Sequence, residues 1–143
     1  MLGRKEYTRE EFDHARAAVE RRLAAHRQLA MAVTGSAPGA VARYDLAQFE
    51  TLLFDNMTLV LDRHVVHRLR VVTGKDTNPL NEVDMICDSL MNHDGVLRGN
   101  SVIKRTPDRS VLKLRIGDPI RLTAADFQRL STAFFAELER RFL

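Results

Sequence analysis

Between Asp45 and about Val72 the chain reads DLAQFETLLFDNMTLVLDRHVVHRLRVV, and nearly every sector of a 3.6-residue helix drawn through it carries an apolar side chain. Leu46, Phe49, Leu53, Met57, Val60 and Val71 form the densest arc. Leu52, Leu59 and Val66 cover a second sector, and Phe54, Leu61, Val65 and Val72 a third. A helix that is apolar all round needs cover on every side, from neighbouring helices or from a second subunit. The stretch is therefore expected to form one central helix, capped at Asp45 and stopped at Gly74, and its surplus apolar surface leads to the expectation of a homodimer in which this helix or the Phe-rich last helix takes part.

The rest of the chain supplies three further helices. Thr8 followed by Glu11 has the spacing of a capping box and opens a helix to about Val33, with Phe12, Ala15, Val19, Leu23, His26, Ala30 and Val33 on its core stripe. Thr34-Gly-Ser-Ala-Pro-Gly reads as the connector that follows. Asn78-Pro79 begins a third helix with the stripe Leu80, Val83, Cys87 and Leu90. Thr123 with Asp126 caps the last, whose stripe is Phe127, Leu130, Phe134, Leu138 and Phe142.

After Gly99 the periodicity changes. Residues 101–105 and 110–116 are rich in β-formers and flank a Thr106-Pro107-Asp108-Arg109 turn, and Leu112, Leu114 and Ile116 alternate with Lys113 and Arg115. The expected fold class is α+β, mainly helical: about four helices with a small two- or three-stranded antiparallel sheet between helix 3 and the C-terminal helix. At 143 residues, 45% hydrophobic and 29% charged, the chain is expected to be a single globular domain spanning 1–143.

Several classes are disfavoured. One cysteine, Cys87, forms no internal disulfide, and no apolar run approaches the roughly 18 residues of a membrane span. The start, MLGRKEYTREEF, has no apolar signal-peptide region, and Leu2 excludes N-myristoylation. A cytoplasmic chain without a membrane partner is expected. No nucleophile elbow or phosphate-binding glycine loop is present, and Val72-Thr-Gly-Lys75 has the wrong context for one. Asp55 and Asp62, two helical turns apart, suit salt bridges better than acid–base catalysis.

Two clusters carry chemistry. His64 and His67, three residues apart, and His26 on the first helix are candidate ligands for a divalent metal or haem, against core histidines that are simply hydrogen-bonded. Glu11-x-x-His14 has half the spacing of a di-iron motif, but no second copy exists, and His14 is placed on the outer face. The second cluster is basic. Arg98 to Arg121 holds seven basic residues and two acids, a net +5 against −2 for the remainder. Lys104, Arg105, Lys113, Arg115 and Arg121 are expected on the outer face of the hairpin as candidate contacts for nucleic acid or another anion, against a merely solvated strand face. No aromatic residue lies between Phe54 and Phe127, which argues against single-strand base stacking.

The functional expectation is a small cytoplasmic, non-catalytic binding or interaction protein that self-associates. The alternatives are a metal- or haem-binding protein or enzyme built on buried histidines, and a nucleic-acid-binding protein built on the basic hairpin.

Overall fold

A computed structural model of the protein describes residues 3–36 and 39–143. Ala37 and Pro38 of the expected connector, and the Met1 and Leu2 considered for N-terminal signals, lie outside the described residues. The described residues form five α-helices and no β-strand: α1 (Arg9–Gly35), α2 (Ala40–Arg63), α3 (Arg70–Thr73), α4 (Pro79–Asn92) and α5 (Ala124–Phe142).

Three helices follow directly from their capping chemistry. Thr8 accepts from the Glu11 N–H while Glu11 accepts from the Thr8 N–H, the reciprocal pair expected at the start of α1. Asn78 accepts from the Asn81 N–H ahead of Pro79, and Thr123 and Asp126 repeat the reciprocal box at α5. The α5 stripe is buried throughout: Phe127, Leu130, Phe134 and Leu138 are fully enclosed and Phe142 nearly so. Each such side chain contributes about 1.5–3 kcal/mol by leaving water. α5 packs against each of the other four helices, so it occupies the centre that the sequence assigned to the second helix.

The second helix differs from its expected form at both ends. It starts at Ala40, not Asp45, with Gly39 as its N-cap and no side-chain cap bond. It ends at Arg63, so no single helix reaches Val72. The chain unwinds over 64–69 because two long-range interactions use that backbone. The Arg4 N–H donates to the His67 carbonyl at 2.6 Å, and the Leu69 N–H donates to the Arg4 carbonyl at 2.7 Å. Arg68 turns inward, pairs with Asp62 at 2.8 Å, donates to the carbonyls of Val65 and Leu80, and lies over the Phe134 ring. Helix then resumes for the single turn of α3 and stops at Gly74, whose φ of +79° suits glycine.

The expected sheet is absent from the described residues. Between α4 and α5 runs a long irregular segment with one isolated antiparallel bridge, Val96 to Pro119, and one 3-10 turn at Pro107–Arg109. The physical reason lies in where its N–H groups go. Glu82, buried on α4, accepts from Val111 at 2.7 Å and Leu112 at 3.0 Å. Ser110 Oγ accepts from Lys113, Asp118 from Arg115, and Asn100 from Val102 and Ile103. Side-chain oxygens take the donors that a neighbouring strand would have used, and Lys113 sits at φ +56°, outside the strand region.

Candidate functional site

The histidines do not converge. His26 is buried on α1, its Nε2 is 3.2 Å from Glu50 of α2, and its ring stands edge-on to Phe54 with centroids 4.7 Å apart. Glu50 is the carboxylate partner that the sequence reading did not assign on α2. His64 caps the end of α2 and faces a different part of α1: with His14, Glu10, Arg4 and Tyr7 it lines an open cavity of about 340 Å³. Burial, then the positive charges of Arg22 and His14, hold the His64 imidazole below its ordinary pKa. His14 and His26 are twelve residues apart on α1, about 18 Å of helix rise, so the His64 cavity and the His26 contact are separate places. His67 is exposed, and its carbonyl holds Arg4. Among the described residues no group of three or more His, Cys, Asp or Glu side chains is placed to hold a metal ion. His14 is exposed as expected but borders the His64 cavity, which its position on the outer side of the stripe did not indicate.

The other chemical candidates resolve into structural roles. Asp62 is the ion-pair partner of Arg68. Asp55 is half-buried, held through the Leu122 N–H, and burial pushes its pKa up to about 6. The Cys87 thiol donates to the Thr58 carbonyl at 3.5 Å, and burial pushes it far above the usual thiol range, which suits packing and not nucleophilic attack.

The basic residues remain on the surface without the strand scaffold expected for them. Lys104, Lys113, Arg115 and Arg121 are exposed, and Arg105 is half-buried with Nη2 donating to Ser110 Oγ at 3.3 Å. They belong to the irregular segment that Glu82 pins, so the outward face of a hairpin is not what presents them.

A further exposed apolar surface includes Phe49 and Leu52, which the sequence places on the apolar circumference of the central helix. The last buried residue of α1 is His26 and the first of α2 is Phe54. Beyond the His26–Glu50 contact, α1 continues for nine residues, about 13 Å, and α2 begins ten residues earlier, about 15 Å. These two stretches, of similar length and joined in sequence through residues 36–39, make up an arm that holds no buried residue among the described residues. Leu29, Met31, Val41, Tyr44, Phe49 and Leu52 are all at least half exposed on it. At 100° per residue, Val41, Tyr44, Phe49 and Leu52 share one sector of roughly 140° on α2, opposite the sector of Phe54, Met57 and Leu61. α2 thus has two apolar faces, one against the core and one against solvent. The all-round apolar pattern was the signal for this second face. Its location could not be read because helical periodicity does not say which side the core covers.

Comparison of the chain with known protein-family models, with curated proteins and with solved structures finds no significant match, so its function is argued from its own residues. No helix among the described residues is long and apolar enough to cross a membrane.

Proposed function

We propose that the protein is a non-catalytic interaction protein that works as a homodimer, joined through the arm formed by the end of α1 and the beginning of α2. The observation that carries this reading is the second apolar face of α2, set opposite its core face and exposed among the described residues. Contiguous apolar surface of this extent marks a contact site in a folded protein. Taking a large apolar residue at on the order of 200 Å² of surface, the four exposed side chains of the α2 face leave roughly 500 Å², more than half of the ~800 Å² per partner of a standard interface. A second copy suits it because the arm is self-complementary: two such arms laid face to face make a four-helix bundle with an isologous contact.

Sedimentation of the wild type and of Phe49→Asp with Leu52→Asp tests the proposal. The wild type is expected to run as a dimer at tens of micromolar and the variant as a monomer. Both sites lie outside the core, so the variant should keep its helical circular dichroism. A wild type that remains monomeric at that concentration overturns the reading, whatever other molecule the arm takes up.

A further inference from the structure

Many arginines elsewhere in the molecule meet acids, although Arg21, Arg27 and Arg63 are exposed and make no ion pair among the described residues. Arg4 meets Glu11, Arg9 meets Glu139, Arg68 meets Asp62, Arg70 meets Asp84, Arg129 meets Asp126, and Arg140 and Arg141 share Glu137. The segment between α4 and α5 gathers five more such exposed cations, from Arg98 to Arg121, around only two acids. Arg98, Lys104, Arg109, Lys113 and Arg121 are all exposed and make no ion pair among the described residues. Of the two acids among them, Asp118 uses its carboxylate on the Arg115 N–H, and Asp108 approaches Arg115 only at 4.0 Å with both side chains largely in water. Such a contact neutralises little. The Lys104 N–H also bonds to the Lys75 carbonyl, which brings another exposed, unpaired lysine to the edge of the segment.

Two further facts separate this from an ordinary solvated surface. The segment is long and irregular, yet Glu82, Asn100, Ser110 and Asp118 fix its backbone, so the charges are presented from a held framework. Long ordered loops without regular structure are commonly functional. Arg105, moreover, has a buried Nη1 without a hydrogen-bond partner, and its burial holds the guanidinium below its ordinary pKa. The carboxylates of Glu82 and Asp118, which fix the segment's backbone, act on this guanidinium from within the fold, so Arg105 is part of the held framework.

We infer that the basic segment from Arg98 to Arg121 is a binding surface for the phosphate backbone of duplex nucleic acid. The cations are strung along the chain and not gathered at one point, which fits a linear polyanion better than a single phosphate. No glycine-rich cradle or helix N-terminus is present in the segment to enclose a lone phosphate group. The absence of any aromatic side chain there removes the stacking that single strands use, leaving recognition of the backbone without readout of sequence. The exposed apolar residues of the segment are only Val102 and Ile116, and Ile116 lies over Gly99, so it lacks the bulky wedge of a membrane-inserting surface.

Fluorescence anisotropy with a labelled mixed-sequence DNA duplex tests the inference independently of the dimer contact. Five neutralised phosphates give a log–log salt slope of about −4.5, so affinity is expected to fall a few hundred-fold between about 50 and 200 mM salt. Lys113→Glu with Arg115→Glu should remove binding at the lower salt. Arg16→Glu with Arg21→Glu, the same charge change on exposed positions of α1, should weaken it less than threefold. The neutral pair Lys113→Gln with Arg115→Gln should give an intermediate loss, which separates lost charge from lost fold, and all variants should melt with the wild type. Any of four results overturns the inference: no binding of duplex at low salt, equal loss in the α1 control, binding of inorganic phosphate alone, or binding of phosphatidylserine vesicles in place of duplex.

Discussion

Glu82 holds the segment between α4 and α5 from inside the fold. It is 4% exposed, and its two carboxylate oxygens receive the N–H groups of Val111 and Leu112 from a segment nearly thirty residues later in the chain. Glu82→Gln leaves one acceptor and brings in an amide donor where a second N–H already points. An unsatisfied buried donor costs about 1–3 kcal/mol, so this variant should melt several degrees lower. Hydrogen exchange should accelerate first at Val111 and Leu112, while the amides of α5 keep their protection. Asp55 makes the complementary case. With its pKa pushed up to about 6, the folded protein holds the Asp55 proton more tightly than the unfolded chain does. Its stabilising effect is therefore complete below about pH 4 and is lost as pH rises through 6. Asp55→Asn keeps an oxygen for the Leu122 N–H and removes the charge. It should raise the melting temperature at about pH 7.5 by a few degrees, on the order of 1 kcal/mol after allowance for partial exposure, and leave it unchanged near pH 4. An equal gain at both pH values would mean that burial of the charge is not the cause.

At the scale of elements, the junction between α2 and α3 depends on Arg68. The side chain is 7% exposed, and Asp62 beside it is 16% exposed. Arg68→Met leaves the Asp62 carboxylate buried without its cation, a change that costs about 3–5 kcal/mol, whereas adding Asp62→Leu should recover much of the loss. Thermal melts of the single and double variants make the check, and a double variant as unstable as the single would overturn it. The same junction shows what periodicity conveys and what it omits. The start of α1, the start of α4 and all of α5 were legible, because Thr8 with Glu11, Asn78 with Pro79, and Thr123 with Asp126 act through bonds a few residues long. The break after Arg63 was not, since its causes are Arg4, Leu80 and Phe134, all remote in the sequence. The lost sheet has the same origin. Val111, Leu112 and Leu114 have strand-like side chains, but a buried glutamate on α4 captured the backbone donors first. Of the candidate sites, the basic residues could be named from composition alone. The separation of His26 from His64 followed from how α1 crosses the end of α2, which no spacing within either helix specifies.

For the whole molecule, the separation between core and arm gives the sharpest test. No residue of α1 after His26 and none of α2 before Phe54 is fully buried, so the distal arm contributes little to the fold of a single chain. Removing residues 28–34 and 41–47 takes two turns from each helix. Seven residues nearly complete two turns, so the faces of the remaining helix drift by only ~20° and His26, Glu50 and Phe54 stay in register. The shortened chain loses Leu29, Met31, Val41 and Tyr44, four of the six exposed apolar side chains of the arm. If the arm is a dimer contact, the wild type is stabilised by mass action, and its melting temperature should rise with protein concentration. The shortened chain should sediment as a monomer, melt at a temperature independent of concentration, and match the wild type measured at high dilution to within about 1 kcal/mol. A deletion that unfolds the protein at every concentration would show that the arm supports its own core, and a shortened chain that still dimerises would move the contact to another face.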